Sequence, residues 1–373
     1  MIYLIVRVFR KDRKNTVNFE SGYLFGFKTL FTSQVVTKFS DSMLDFSRFL
    51  GFPLYVSYFT SLKKDNLRRL LAFIAVFVGV STIPFHLKLI DPLVQGYGLE
   101  RFGEDQFGFV GIFQQAHYAS VVLAMSSLVL LNEILTYKFT RANKRYMYIL
   151  LVITLYSLYQ TYVRTGYIFF IIGTFSLIYF KRGLVRSVLL TGIMLLPVLL
   201  YLWFGNSEVL QNRLTDQTVY ANVEHGTGSG RPLIYYSALL IFYNYTILDK
   251  IIGVGTATFV QLMEVQMGES IFAHDGYINA LVVFGVLGFI FFVYFIFSIL
   301  SRIRKNRKSI YYPFAMSVFL AYQSFIFVQG GSFFLFDVLI YGAFALAINP
   351  DEEPEPNEEN AVEGAESYQI ESA

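Results

Sequence analysis

The chain contains no cysteine, which removes disulfides, thiolate metal sites and cysteine nucleophiles from consideration. Its four histidines leave little from which to build a dedicated metal centre. Charge is scarce as well, 15% of 373 residues, and a third of the acids are crowded into one short segment. Residues 351–373 hold nine acids and no base, while the rest of the chain carries 30 bases against 18 acids. With almost no apolar content, "DEEPEPNEENAVEGAES" reads as part of a disordered acidic tail over 350–373. No cleavable signal peptide is legible at the other end. "MIYLIV" is too short for a signal core and meets "RVFRKDRK" at once, unless it closes a span whose start lies upstream.

Hydrocarbon stands where charge is missing. The composition is 55% hydrophobic and 18% aromatic, with a mean hydropathy of +0.50. Long apolar stretches broken by short basic ones predict an all-α, polytopic integral membrane bundle, because each crossing must satisfy its own backbone hydrogen bonds. Apolar runs long enough to cross lie near 22–38 (the weakest), 43–61, 70–90, 110–134, 146–162, 165–180, 187–204, 277–300, 311–328 and 332–349, about ten in all. The organisation expected is an N-terminal bundle over 1–204, a large loop over 205–276 containing interfacial helices, C-terminal spans over 277–349, and the tail.

Basic clusters set the expected orientation. "RVFRKDRK", "KKDNLRR", "KFTRANKR", "KRGLVR" and "RIRKNRK" occupy alternate loops and hold 21 of the 30 lysines and arginines. By the positive-inside tendency these loops are cytoplasmic. Segments 91–109 and 205–276 then face outward, and the mouth at Arg164 opens on their side. No internal repeat of the kind seen in secondary transporters is visible. Asp45 and Arg48, one turn apart, read as a local ion pair. Asp337 reads equally as a functional or as a hydrogen-bonded structural carboxylate.

On the outward side four stretches carry chemistry: "YGLERFGEDQFGFVGIFQQAHYAS", "YVRTGYIFF", "GTGSGRPLIYYSALLIFYNYTILDKIIGVGTATF" and "AHDGYINALVVFGVLGFIFF". A fifth, "VQGGSFF", is too generic to read. Arg164 opens a span, and Arg231 precedes an apolar segment running to Leu248, with Pro232 at its first helical position. Two guanidiniums brought together form a fork that grips a phosphate or diphosphate bidentately. His274, just before a span, can take a proton from a hydroxyl or donate to a phosphate, and nearby arginines favour its neutral form.

Each residue alone has a plainer reading. An isolated arginine at a helix mouth snorkels to lipid phosphates. Arg231 alone reads as a loop ion pair with Glu224 or Asp249, His274 as a capping or packing residue, and Arg101 as an ion pair with Glu104 or Asp105. His225 reads as loop, and His117 as a buried hydrogen-bonding residue two turns into its span. The "GVG" at 253–255 is a turn without the strand–helix setting of a nucleotide loop. What favours the joint reading is that Arg164, Arg231 and His274 fall on one side of the membrane.

The ordered set "VRTGYIFFIIG", "SGRPLIYYSAL…IIGVGTATF" and "AHDGYINALVVFGVLGFIFF" resembles the O-antigen ligase and polymerase superfamily of bacterial envelope glycosyltransferases. Shared features are an Arg-Thr/Ser-Gly mouth, a Gly-Arg before an interfacial helix, a Gly-x-Gly turn, and a His-Asn/Asp-x-Tyr motif opening a span that ends in Gly-x-x-Gly, here Gly285 to Gly288. Gln115-Ala116-His117 departs from the family's pattern at that point.

The resemblance implies a metal-independent, GT-C-like enzyme of the cytoplasmic (inner) membrane with its site on the extracytoplasmic side. It implies no cofactor and no nucleic acid. The partners implied are a glycan donor on undecaprenyl diphosphate, a glycan acceptor and membrane lipid, with a chain-length regulator and a flippase alongside. Arg164 and Arg231 would hold the diphosphate, and His274 would act on the acceptor hydroxyl. Asp275, Tyr277 and Arg101 would support them. The first expectation is a polymerase of O-antigen, capsule or exopolysaccharide repeats, with a ligase to lipid A core as the alternative and a flippase less favoured.

Overall fold

The computed structural model describes residues 20–29, 31–32, 39–92, 94, 108–181, 231–268, 270–330 and 334–349. Within them every regular element is a helix. In chain order these are α1 (Glu20–Lys28), α2 (Phe39–Phe59), α3 (Lys64–Ser81), the short α4 (Ile83–His86), α5 (Ala116–Thr136), α6 (Arg141–Gln160) and α7 (Arg164–Phe180). Then follow α8 (Arg231–Tyr243), α9 (Ile247–Ile252), α10 (Thr256–Met267), α11 (Gly276–Lys305), α12 (Tyr312–Val328) and α13 (Phe334–Ile348).

Among the described residues, three stretches are long and apolar enough to cross a membrane: Lys64–His86, Ala116–Thr136 and Gly276–Lys305. Shorter apolar helices include α7, α12 and α13. The expected run at 187–204 and the tail at 350–373 lie outside the described residues. The starts of α3 and α6 and the end of α11 depart from the hydropathy reading for one reason. "KDNLRR" and "RANKR" form first turns, and "RIRK" a last turn, that are helical but too polar for an apolar window to include.

The bundle centres on α5, which is buried along nearly its whole length, from Ala119 through Leu130 on every face. Small residues let neighbours approach it, as in membrane bundles where close backbone packing substitutes for hydrophobic drive. A Cβ on Gly166 of α7 would stand 2.8 Å from Ser120 of α5, and one on Gly173 would stand 2.7 Å from Leu128. The Ser317 hydroxyl of α12 donates to the Gly173 carbonyl at 2.8 Å, so α7 is held between α5 and α12.

The longest helix, α11, is broken at Gly285, whose φ of 70° lies in the left-handed region. The Gly253–Gly255 turn fills the break. Gly253 and Gly255 also have positive φ, 79° and 85°. The Gly255 amide donates to the Val283 carbonyl at 2.9 Å. The break leaves carbonyls without helical partners, costly in an apolar setting. Buried Lys28 answers this by donating to the Ile252 and Phe284 carbonyls. So α1, α9 and the two halves of α11 meet at one joint.

A Cβ on Gly253 would lie 2.3 Å from the Val283 carbonyl oxygen. Gly253→Ala is therefore expected to destabilise the folded protein by roughly 3 kcal/mol, from left-handed strain plus overlap. Thermal unfolding in detergent checks this, with Gly268→Ala as the comparison: Gly268 also has positive φ, 78°, but no neighbour within 4 Å of its added Cβ.

Candidate functional site

The site is assembled at helix N-termini. Chain turns at the end of α6 prepare the first of them. Thr161 caps α6, its hydroxyl donating to the Leu158 carbonyl at 2.7 Å and accepting from the Val163 amide at 3.3 Å. Tyr162 takes a φ of 54°, unusual for a residue with a bulky side chain, and its hydroxyl donates to Gln160 Oε1 at 3.1 Å. The chain thereby reverses within two residues and starts α7 at Arg164, which is exposed. The "RTG" triplet divides its labour: Arg164 faces out, Thr165 is buried, and Gly166 lets α7 close on Ser120.

Arg231 begins α8 and is half-buried. Burial lowers its pKa from the ordinary arginine value. Tyr235, one turn on, opposes that shift, and Arg164 adds to it. The guanidinium remains cationic at neutral pH, since arginine stays charged in proteins. The two arginines therefore lie within electrostatic reach of each other although they are far apart in sequence.

His274 completes the group. It is half-buried, with φ 51°, a conformation to which histidine is better suited than most residues. Its pKa is lowered first by burial and then by Arg231. The imidazole is thus mostly neutral at pH 7, its ordinary value being 6.5. The Tyr235 hydroxyl reaches the His274 carbonyl at 3.5 Å, linking α8 to the segment before α11.

Asp275 is buried and is the N-cap of α11, its Oδ1 accepting from the Ile278 amide at 2.8 Å. Burial raises its carboxyl pKa, and bonds from the Ile278 and Tyr277 amides pull it back down. Capping therefore belongs to Asp275 rather than to His274, and it fixes the backbone that presents the imidazole. The Tyr277 hydroxyl donates to Gln323 Oε1 and ties α11 to α12. The Ala273 amide donates to Asn279 Oδ1 at 3.2 Å, closing the same loop from the other side.

Arg101, Glu224 and His225 lie outside the described residues. His117 falls in the first turn of α5 rather than two turns in, because residues 111–115 form a turn with Gly111 at positive φ and the helix starts only at Ala116. That puts His117 one turn before Ser120, the contact of Gly166. Asp337 is buried in the first turn of α13, next to the Tyr322–Tyr341 hydroxyl pair at 3.0 Å. Pro232 is the second residue of α8, not the first, and α8 stops at Tyr243, short of Leu248. Thr246 then caps a separate helix through Asp249.

Sequence reading missed three participants. Tyr235 was legible in principle, since it stands four residues after Arg231 and shares its helix face. Gln323 gives no local signal. The turn at Gln329 and Gly330 proves to be the floor of the loop: a Cβ on Gly330 would stand 2.4 Å from the Gly276 amide, so only glycine lets this turn lie against the start of α11.

Arg164 and Arg231 are thus the first residues of α7 and α8, and His274 stands two residues before α11, in a helical protein with stretches apolar enough to cross a membrane. Residues 149–293 match the family model for O-antigen ligase. That stretch contains Arg164, Arg231, His274, Asp275 and Tyr277, and over it the likeness to the O-antigen ligase and polymerase superfamily is shown. Such a family supports a glycosyltransferase-type enzyme. No curated protein matches the chain.

Asp275→Ala should remove the α11 cap and cost about 1 kcal/mol of stability, whereas Asp275→Asn, an equally good cap, should keep it. Thermal melts of both variants check this. An Asn variant as unstable as the Ala variant would mean that the carboxylate charge, not the cap, is what α11 requires.

Proposed function

We propose that the protein is a membrane glycosyltransferase that moves a glycan from undecaprenyl diphosphate to an acceptor hydroxyl. The observation carrying this reading is that the stretch matching the O-antigen ligase family model, residues 149–293, holds Arg164 and Arg231 at the starts of α7 and α8 and His274 just before α11. In the step envisaged, the anomeric C–O bond to the diphosphate breaks and a new C–O bond forms to the acceptor oxygen. The acceptor proton passes to the neutral imidazole of His274. The leaving diphosphate keeps the electron pair, and its charge is met by the two guanidiniums and the positive ends of α7 and α8.

Metal is not needed in this scheme, because fixed cations in a low-dielectric rim do the neutralising. Asp275 and Tyr277 act as positioning residues, through the α11 cap and the tie to Gln323. The site faces the extracytoplasmic side of the inner membrane, with the basic loops opposite. We favour a polymerase that extends lipid-linked repeat units, served by a flippase and a chain-length regulator. A ligase acting on lipid A core is the second reading, supported by the name of the matching family. Reconstitution with lipid-linked repeats, with and without lipid A core, separates them: longer lipid-linked chains without core support the polymerase, and product only on core supports the ligase.

Arg164→Ala, Arg231→Ala and His274→Ala are each expected to lower transfer by at least about a hundredfold while membrane insertion is preserved. Arg231→Lys should also be poor, because a point ammonium cannot make the two-pronged contact. Product ladders from membranes of these variants check this, and normal ladders would defeat the assignment.

The pH profile follows from the sign of the histidine shift. The working form is the neutral imidazole, and its pKa lies below 6.5. Activity should therefore hold as pH falls to about 6.5 and decline only below it. An acid limb at pH 7 or above would contradict a depressed His274.

A further inference from the structure

The far end of α11 carries a second feature that the proposed reaction does not use. A groove of about 390 Å³ is lined by Phe297, Leu300, Ser301, Arg304, Lys305 and Arg307. Phe297, Leu300, Ser301 and Arg304 follow the i, i+3, i+4, i+7 spacing and share one helix face. The neighbouring face is committed to the core, with Ile296, Ile299 and Ile303 buried. Along the groove face the chemistry changes from apolar to cationic over about 10 Å of helix rise. Phe297 is 61% exposed, as a lipid-facing ring would be, and Ser301, Arg304, Lys305 and Arg307 are exposed beyond it.

We infer that this groove is a binding site for an anionic phospholipid, with the phosphate at Ser301, Arg304, Lys305 and Arg307 and the upper acyl chain against Phe297 and Leu300. The graded face matches the order in which a phospholipid presents hydrocarbon, glycerol and phosphate along the membrane normal. The volume is that of about a dozen waters at roughly 30 Å³ each, suited to a headgroup and glycerol rather than to two whole chains. Basic recesses at the end of a span attract anionic headgroups at short range, where salt screens least.

The acidic segment 351–373 is the rival occupant. Asn306 Nδ2 donates to the Ala347 and Ile348 carbonyls at 2.8 and 3.2 Å, so the end of α13 lies beside the end of α11. Charge alone would suit that segment. The apolar half of the groove, with Phe297 exposed, favours the lipid.

The site lies at the end of α11 opposite His274, so its test is independent of catalysis. The full chain, in phosphatidylcholine discs with and without phosphatidylglycerol, is released for native mass spectrometry and bound lipid is counted. The expected result is preferential retention of phosphatidylglycerol. The triple variant Arg304→Gln, Lys305→Gln, Arg307→Gln should weaken that retention by roughly fivefold per cation removed. A control variant, Arg141→Gln, Lys144→Gln, Arg145→Gln, removes the same charge from the exposed start of α6 and should keep it. Equal loss in both variants, or no preference for phosphatidylglycerol in the parent, would overturn the site. So would a photoreactive group at position 297 that labels residues 351–373 instead of lipid.

Discussion

Two like charges held near each other at the rim of an apolar bundle are unstable by themselves, and the candidate site is organised around that fact. Burial and then Arg164 lower the pKa of Arg231, and burial and then Arg231 lower that of His274. An arrangement of this kind gains most when an anion arrives, since the repulsion that it stores is exchanged for attraction. A polyprenyl diphosphate, the donor proposed above, would supply that anion together with an apolar chain that stays in the membrane. Burial, with the Arg231 charge adding to it, favours neutral His274, which in the proposed scheme accepts a proton from a hydroxyl. In the proposed scheme the Arg231 charge serves both the anion and the histidine, while burial contributes more to the lowered His274 pKa.

The scaffold shows how such a repulsive group is kept in place. Each of its members sits at a point where the backbone is constrained by packing. Gly166 against Ser120 sets the angle at which Arg164 leaves the bundle, and Gly330 against Gly276 sets the floor under His274. Tyr162 and His274 both adopt left-handed φ, a local strain that persists only where the surroundings insist on it. The joint at Gly285 and Gly253, closed by Lys28, locks the segment between α8 and α11 onto the bundle. Arg231 at one end of that segment and His274 at the other are thereby held relative to each other.

Much of this was legible in the sequence, for physical reasons that can be named. Apolar runs give the presence of the helices, because burial in hydrocarbon demands them. The ends of α3, α6 and α11 were misjudged because interfacial basic turns are helical without being apolar. Arg164, Arg231 and His274 stood out because charge is scarce in this chain, so each charged or titratable residue near an apolar run needs an account. Tyr277 came from the motif alone, and its partner Gln323 could not, since a bond between α11 and α12 leaves no mark on either segment. Asp275 was expected to assist His274. The structure gives it the N-cap of α11, and the two roles look alike in a sequence where Asp follows His and precedes a helix. The role of Lys28 was hidden because it answers a break in another helix, created by a glycine more than 250 positions away.

The central claim is proximity, and the absence of native cysteine makes it directly measurable. Spin labels on the double variants Arg164→Cys/His274→Cys and Arg231→Cys/His274→Cys, in full-length protein in lipid discs, report the two separations by pulsed dipolar spectroscopy. The account predicts short, narrow distributions for both pairs, consistent with charges that interact within about 10 Å once label length is allowed for. Broad or long distributions, with the positions spread across separate parts of the rim, would contradict it.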